Sequence, residues 1–318
     1  MKKIDGSRLQ TGKLVLNDDC LWARQLWRQA RATVWEPSAV SLDADRDSWA
    51  SDQLADAERQ LLIDSLAVVS VVAPCIERSS VVLYNLLGNR SCQCYLLQQA
   101  CQALNHADAV VYCCDEFGIE PATVDEVPRD LAALLAPLAR DFQVATAGDL
   151  LRILVEDYLR AGVITCSAVL LLFEQQEMTA KLPGVAVLFD HLLRDLARQH
   201  EFCCDLVNVI KASNPDAWNV MLQEGSVAAF KECAGTLEVY LQQACFIEGS
   251  FDRACQQLHC LVDHTCESID LPRPFGTYGH PAWMVSAGAV NRRADASCDE
   301  VPTTPPPSAV TAKQQEQQ

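Results

Sequence analysis

The residues of this chain best suited to chemistry are its histidines, cysteines and carboxylates, and they fall into a few short clusters. His106 with Asp108, and His200 with Glu201, could each contribute to a metal-ligand set; the plainer reading is that they are solvated or support a neighbouring site. The run His259-Cys260-x-x-x-His264-x-Cys266 has zinc-ligand residue types. On one helix those four positions do not share a face and match no regular zinc spacing, so core and boundary packing accounts for them better. Cys113-Cys114, Cys203-Cys204 and Cys92-Gln93-Cys94 lack the Cys-x-x-Cys spacing of redox exchange, which favours small apolar packing. The run Leu193-Arg194-Asp195-Leu196-Ala197-Arg198-Gln199-His200 sets one carboxylate, Asp195, beside two arginines. Arg194, Arg198 or the indole N–H of Trp35 could pair with it.

These residues sit in long segments of helical apolar periodicity, at about 53–87, 91–116, 127–141, 147–181, 185–212 and 217–268. Breaks fall at Gly88-Asn89, at Gly118 with Pro121, at Pro183-Gly184 and at Asn214-Pro215. Ser51 or Asp52 is the expected N-cap of the first segment. Little of the chain alternates with period two, so an all-α fold is expected, packed as an antiparallel bundle. Residues 1–30 are polar and mixed and are expected to form an N-terminal extension. Residues 31–270 are expected to form one helical domain. Residues 271–318, with Pro305-Pro306-Pro307 and a glutamine-rich end, are expected to be a disordered tail.

Composition narrows the partners. A net charge of -17, from 42 acidic and 25 basic residues, argues against binding a nucleic-acid backbone, which needs a basic face. Sixteen cysteines spread through apolar helical positions, behind an N-terminus with no apolar run after Lys2-Lys3, point to reduced, buried, intracellular thiols. The longest apolar stretches, Leu66 to Cys75 and Ala161 to Phe173, are shorter than the roughly 20 residues of a membrane span. A soluble, cytoplasmic protein with no membrane partner is expected.

Four pieces of the sequence, in order, carry a resemblance over roughly residues 22–270. They are Trp35-Glu36-Pro37 leading through Asp43, Asp45-Arg46-Asp47 and Trp49; Leu54-Ala55-Asp56-Ala57-Glu58-Arg59 followed by Leu66-Ala67-Val68-Val69; Cys94-Tyr95-Leu96-Leu97-Gln98-Gln99-Ala100; and Leu182-Pro183-Gly184 eleven residues before Arg194-Asp195. Together they resemble the small subunit of class I ribonucleotide reductase. The resemblance implies a ferritin-like helical bundle in which two helices each supply Glu-x-x-His and two others each supply a carboxylate to a pair of metal ions. In that family the two irons and oxygen generate a tyrosyl radical. The oxidising equivalent then passes through a tryptophan and an aspartate to the large subunit.

Carried onto this sequence, the relay pair matches Trp35 and Asp195, while the ligand slots change character. The first carboxylate slot falls at Ala73, or at Val71 without a gap; the second helix gives Gln102 and Asn105; the last gives Leu196 and Gln199. The radical-tyrosine slot is Ala109. The remaining carboxylate is Glu156 by one alignment and Gly162 by another, which leaves Glu156 as the one ligand that could survive. Gln102 and Asn105 could hydrogen-bond each other or water. His106 and His200, one residue past the histidine slots, would be turned about 100° away from the old site.

The expectation is therefore a homologue of the ribonucleoside-diphosphate reductase small subunit that holds no cofactor and acts as a partner-binding pseudoenzyme. The alternative is an active small subunit with an unconventional centre. A homodimer and a ribonucleotide reductase large subunit, or a related protein, are the expected partners. Ala287-Gly288-Ala289-Val290-Asn291 resembles the docking peptide of herpesvirus small subunits and points to a DNA-virus origin, with a location in the host cytoplasm.

Overall fold

Apolar residues at helical spacing become helices across the described residues, with no β-strand among them. The computed structural model describes residues 20–51, 53–139, 144–223, 225–277 and Met284. Helices α1 (Leu21–Ala32) and α2 (Asp43–Ala50) lead into two long ones, α3 (Asp56–Leu86) and α4 (Arg90–Phe117), joined by three residues and packed side by side along their lengths. The short α5 (Pro121–Val124), α6 (Arg129–Leu135) and α7 (Ala147–Arg152) follow. Helix α7 runs on into a π-helical segment, Ile153–Ile164, and then into α8 (Thr165–Gln175). The single-turn α9 (Met178–Lys181) precedes α10 (Pro183–Ser213), after which come α11 (Pro215–Gln223), α12 (Ser226–Ala244) and α13 (Ser250–Ser268). The core bundle is α3, α4, the π-segment with α8, and α10. Helix α1 lies across α4 and α10, while α12 and α13 cover α8 and the π-segment.

Local signals set the ends of the site-bearing helices. Asn89 caps α4, its side-chain oxygen accepting from the backbone N–H groups of Ser91 (2.9 Å) and Cys92 (3.2 Å), and Gly118, at φ 63°, closes it. Helix α3 starts later than the expected cap at Ser51 or Asp52. Glu58 turns back to accept from the Ala55 N–H at 2.9 Å, while the Ser51 hydroxyl donates to the Ser48 carbonyl; Asp52 lies outside the described residues. The run expected as one helix over 217–268 is broken twice: α12 ends where Cys245 turns extended, and Gly225 (φ 92°) and Gly249 (φ 72°), in left-handed backbone, stand at the N-cap positions of α12 and α13.

Both expected domain limits move outward. The N-terminal extension gives way to ordered structure before residue 30, since α1 begins at Leu21 and buries Ala23, Leu26 and Ala30. Beyond 270 the chain is not free: Leu271 is buried, and the backbone N–H groups of Phe275 and Thr277 donate to Asp263 on α13. Met284 is also buried in the core. Helix α3 is long and apolar enough, by length and composition, to cross a membrane, although neither shorter stretch in the sequence was. Its apolar surface is instead used inside the bundle, where Leu61, Leu62, Leu66, Val68, Val72 and Ile76 are buried.

Candidate functional site

Asp195 on α10 is fully buried and collects four side chains. Its Oδ2 accepts from the Trp35 indole N–H at 3.0 Å and meets His106 Nε2 at 3.0 Å. Its Oδ1 accepts from the Gln102 amide at 2.7 Å and from the Arg198 guanidinium one turn along the same helix. Burial alone would raise this carboxyl. The hydrogen bond from His106, the charges of His106 and Arg198 and the bond from Trp35 outweigh it and hold Asp195 below its ordinary value of 3.8. An ionised Asp195 makes the His106 ring nitrogen facing it a donor. Trp35 stacks with two imidazoles, His191 at 5.0 Å and His106 at 6.2 Å between ring centroids, and its carbonyl accepts from the Asn105 amide at 2.6 Å.

On α4, His106 is buried and bonded to the Asp195 carboxylate, while Asn105 is half-buried and reaches only the Trp35 backbone. Nor do Gln102 and Asn105 bond each other. Arg194 takes no part, because it pairs with Asp190 on the exposed face of α10. The relay-like pair of Trp35 and Asp195 is brought together as expected.

The other slot positions line the bundle interior with neutral groups. Ala73, Ala109 and Leu196 are buried. Ala109 borders a seam with Leu66, Val69, Leu188 and Leu192 that is too narrow for a water molecule. Gln99 donates to Ser80 Oγ at 3.0 Å and to the Tyr158 hydroxyl of the π-segment. Gln199 is fully buried and neither its amide nitrogen nor its oxygen has a protein partner; the oxygens of Gln99 and Gln102 are also unpaired. On the π-segment Glu156 is partly exposed, whereas Gly162 is buried and a Cβ there would point toward Val72 of α3 at 4.0 Å. Gly162 thus occupies the face turned to the bundle interior, one residue along α3 from Ala73.

The unpaired Gln199 amide gives a measurable consequence. Replacing a buried amide that lacks partners with an apolar side chain of similar volume removes a desolvation cost. The Gln199→Leu variant is expected to be more stable than the parent by about 1 kcal/mol, read as a higher urea midpoint at an unchanged slope.

The remaining clusters separate in space. His259 faces α12 and the following strap, paired with Glu238 and stacked on Phe275 at 3.9 Å, whereas His264 stacks on His200 of α10 at 5.5 Å. His200 is buried and bonds Thr265 Oγ1 at 2.9 Å; burial and the neighbouring His264 push its pKa well below the ordinary range. It is neither solvated nor grouped with a carboxylate in a ligand set. Among the described residues no three His, Cys, Asp or Glu side chains gather around one point. The cysteines there are free thiols, most of them buried, and burial pushes Cys166 up to about 12 and raises Cys203 and Cys204 further from reactivity. The docking-like peptide Ala287, Gly288, Ala289, Val290 and Asn291 lies outside the described residues.

Comparison with known proteins accounts for this bundle. The family model "Ribonucleotide reductase, small chain" matches residues 15–281. The chain belongs to the ribonucleotide reductase small-chain family. It is 26% identical over 293 residues to a ribonucleoside-diphosphate reductase subunit beta from Chlamydia pneumoniae, covering 85% of this chain and 84% of that one. The fold is shared with the ribonucleotide reductase R2 subunit from Clostridium botulinum (TM-score 0.69, 14% identity, 85% and 88% coverage). It is also shared with a variant of an R2-like ligand-binding oxidase reconstituted with a Mn/Fe cofactor (TM-score 0.60, 13% identity, 78% and 93% coverage).

Small chains of this family are built around a di-metal site, and the residues here do not fit one. A di-metal carboxylate centre needs several anionic and imidazole donors aimed at one point with their lone pairs free. Asp195 stands at the relay position, and both its oxygens and the facing His106 nitrogen are already engaged. Ala73, Leu196 and Gly162 offer no donor side-chain atom, and Gln199 offers only a neutral amide.

Proposed function

We propose that this small-chain homologue has lost its di-metal centre and the tyrosyl radical, and acts as a pseudoenzyme that binds protein partners through the retained family shape. The observation that carries the reading is the lining of the ligand slots, where Ala73 and Leu196 are buried and Gln199 is a buried amide without a protein partner. Ala109, hemmed in by apolar side chains at the tyrosine slot, supports it. The herpesvirus-like peptide Ala287 to Asn291 supports a viral origin, a host-cytoplasm location and docking to a large subunit or a related protein. A second reading, an active small subunit with an unconventional centre, draws on the intact Trp35–Asp195 hydrogen bond. Elemental analysis separates them: the purified chain is expected to carry far less than one transition-metal ion, and about two per chain would overturn the pseudoenzyme.

The expected homodimer has a suitable face. Leu97, Cys101, Leu104 and Val111 form one exposed stripe along α4, with Leu104 53% exposed, spaced as one helix needs to meet a second copy of itself. A charge at the centre of such a stripe cannot be buried without a partner. Leu104→Glu is expected to shift the chain from dimer to monomer in light scattering at micromolar concentration, with unchanged helix content. A parent that is monomeric at that concentration would remove the assignment.

A further inference from the structure

In a chain of net charge -17, helix α1 carries only positive charge: it holds Arg24, Arg28 and Arg31 and no carboxylate. Ala23, Leu26 and Ala30 turn inward. At 100° per residue Leu21, Arg24, Arg28 and Arg31 then share the outward face, and all four are exposed. Among the described residues none of the three arginines has a carboxylate partner, and Arg31 lies over the half-buried Trp27 ring at 5.1 Å. Cations elsewhere are commonly answered: Arg46 by Asp43 and Glu116, Arg194 by Asp190, Lys211 by Asp270 and Arg273 by Glu267. A second observation is apolar. Leu21 at 61% and Val34 at 59% are the two most exposed large hydrophobic side chains among the described residues, and they stand at the start of α1 and just past its end. A solvated arginine face gains nothing from bare apolar side chains at both ends, whereas arginines beside a tryptophan and apolar anchors are the composition of a protein interface.

We propose that the outer face of α1 docks an acidic segment of a partner protein, whose carboxylates meet Arg24, Arg28 and Arg31 and whose apolar ends cover Leu21 and Val34. The row from Arg24 to Arg31 is about 10 Å long. Same-side residues of an extended chain recur about every 7 Å, so one short acidic strand lays neighbouring carboxylates against all three guanidiniums, whose planar forks suit that group. A nucleic-acid backbone would match the charges but leave Leu21 and Val34 in water, and the net negative charge of the chain repels a long polyanion. The proposal rests on the partner-binding reading and names its face and the chemistry of its partner; it is independent of whether the chain holds metal.

The probe is a short fluorescein-labelled peptide of glutamates with a leucine at each end, titrated with the full chain and read by fluorescence anisotropy at about 0.15 M salt, where distant charges are screened. The parent is expected to bind it, and to bind a glutamine version about tenfold more weakly. Arg24→Gln, Arg28→Gln and Arg31→Gln together are expected to weaken binding about tenfold, with unchanged helix content in circular dichroism. Arg129→Gln, Lys231→Gln and Arg253→Gln together remove the same charge from exposed positions on α6, α12 and α13. That variant is expected to stay within about twofold of the parent. Leu21→Ser is expected to cost about threefold. Should the first triple variant unfold, Arg28→Glu alone reverses the central charge and is expected to show the same loss. No binding by the parent, equal losses in the two triple variants, or binding of single-stranded DNA or anionic lipid vesicles that the peptide does not displace would overturn the proposal. Its failure is separable from that of the metal-free reading, which elemental analysis decides, because none of these variants touches the bundle interior.

Discussion

Mixed with a competent large subunit, iron(II), oxygen and a ribonucleoside diphosphate, this chain is expected to give no deoxyribonucleotide above the large subunit alone, and no tyrosyl-radical signal in electron paramagnetic resonance. The argument runs from the donor atoms outward. A radical-generating centre must hold its metals with anionic and imidazole ligands, and at the slots for them the chain places Ala73, Gln102, Asn105, Leu196 and Gln199, with Glu156 or Gly162 at the remaining one. Asp195, at the relay position, has both oxygens committed and is held ionised by its neighbours. The relay half of the machinery is in order, because Trp35 donates to Asp195 and Asp195 in turn meets His106. A relay conducts only what a source supplies, and at the tyrosine slot Ala109 has no group to oxidise. Turnover at the level of an active small subunit, with metal bound, would establish the unconventional-centre reading and end the pseudoenzyme.

Much of this was legible before any coordinates, and the failures have local causes. The long helices α3, α4 and α10 follow from apolar spacing, and the Trp35–Asp195 pair from the order of short motifs. Helix α1 was missed because its buried face is one leucine, Leu26, with two small residues, Ala23 and Ala30, set among arginines that read as polar. Cys245 ends α12, and Gly225 and Gly249 lead into α12 and α13 with a left-handed φ that leaves no trace in an apolar count. The register on α4 was set by motif matching, which put Asn105 in the histidine slot. The spacing of buried positions, Tyr95, Gln99, Gln102, His106, Ala109 and Cys113, follows steps of three and four with His106 in the middle, and it points His106 at α10. Gln99, Gln102 and His106 are polar, so an apolar count does not place them on the buried face. The π-segment carried no such signal, so the sequence left Glu156 and Gly162 as alternatives.

The α10 register that sets Asp195 and Arg198 depends on a carboxylate from another helix, and removing it is expected to be the most damaging single change to stability. Asp45 of α2 is fully buried and accepts from two N-terminal amides of α10, Gly184 N–H and Val185 N–H, each at 2.9 Å. Pro183 at the first helical position has no N–H to satisfy, so Asp45 serves the two donors that follow it and lies at the positive end of the helix. Asp45→Ala leaves both amides buried without acceptors and is expected to cost about 3–5 kcal/mol in urea unfolding. Asp45→Asn keeps an acceptor oxygen and is expected to fall between. Gly184 tests the same contact from the other side. A Cβ there would lie 2.5 Å from the Ser41 carbonyl oxygen and 2.8 Å from Asp45 Oδ2, so Gly184→Ala must push the α2 approach off the end of α10. From Gly184 to Asp195 is eleven residues, about 16 Å along the helix, so damage at the cap reaches the axis through α10 itself. If Asp45→Ala unfolds at the parent's urea midpoint, the cap is not what holds α10, and the packing of Phe189 on Phe173 at 4.9 Å and of Phe202 on Tyr95 at 4.4 Å must set its register instead.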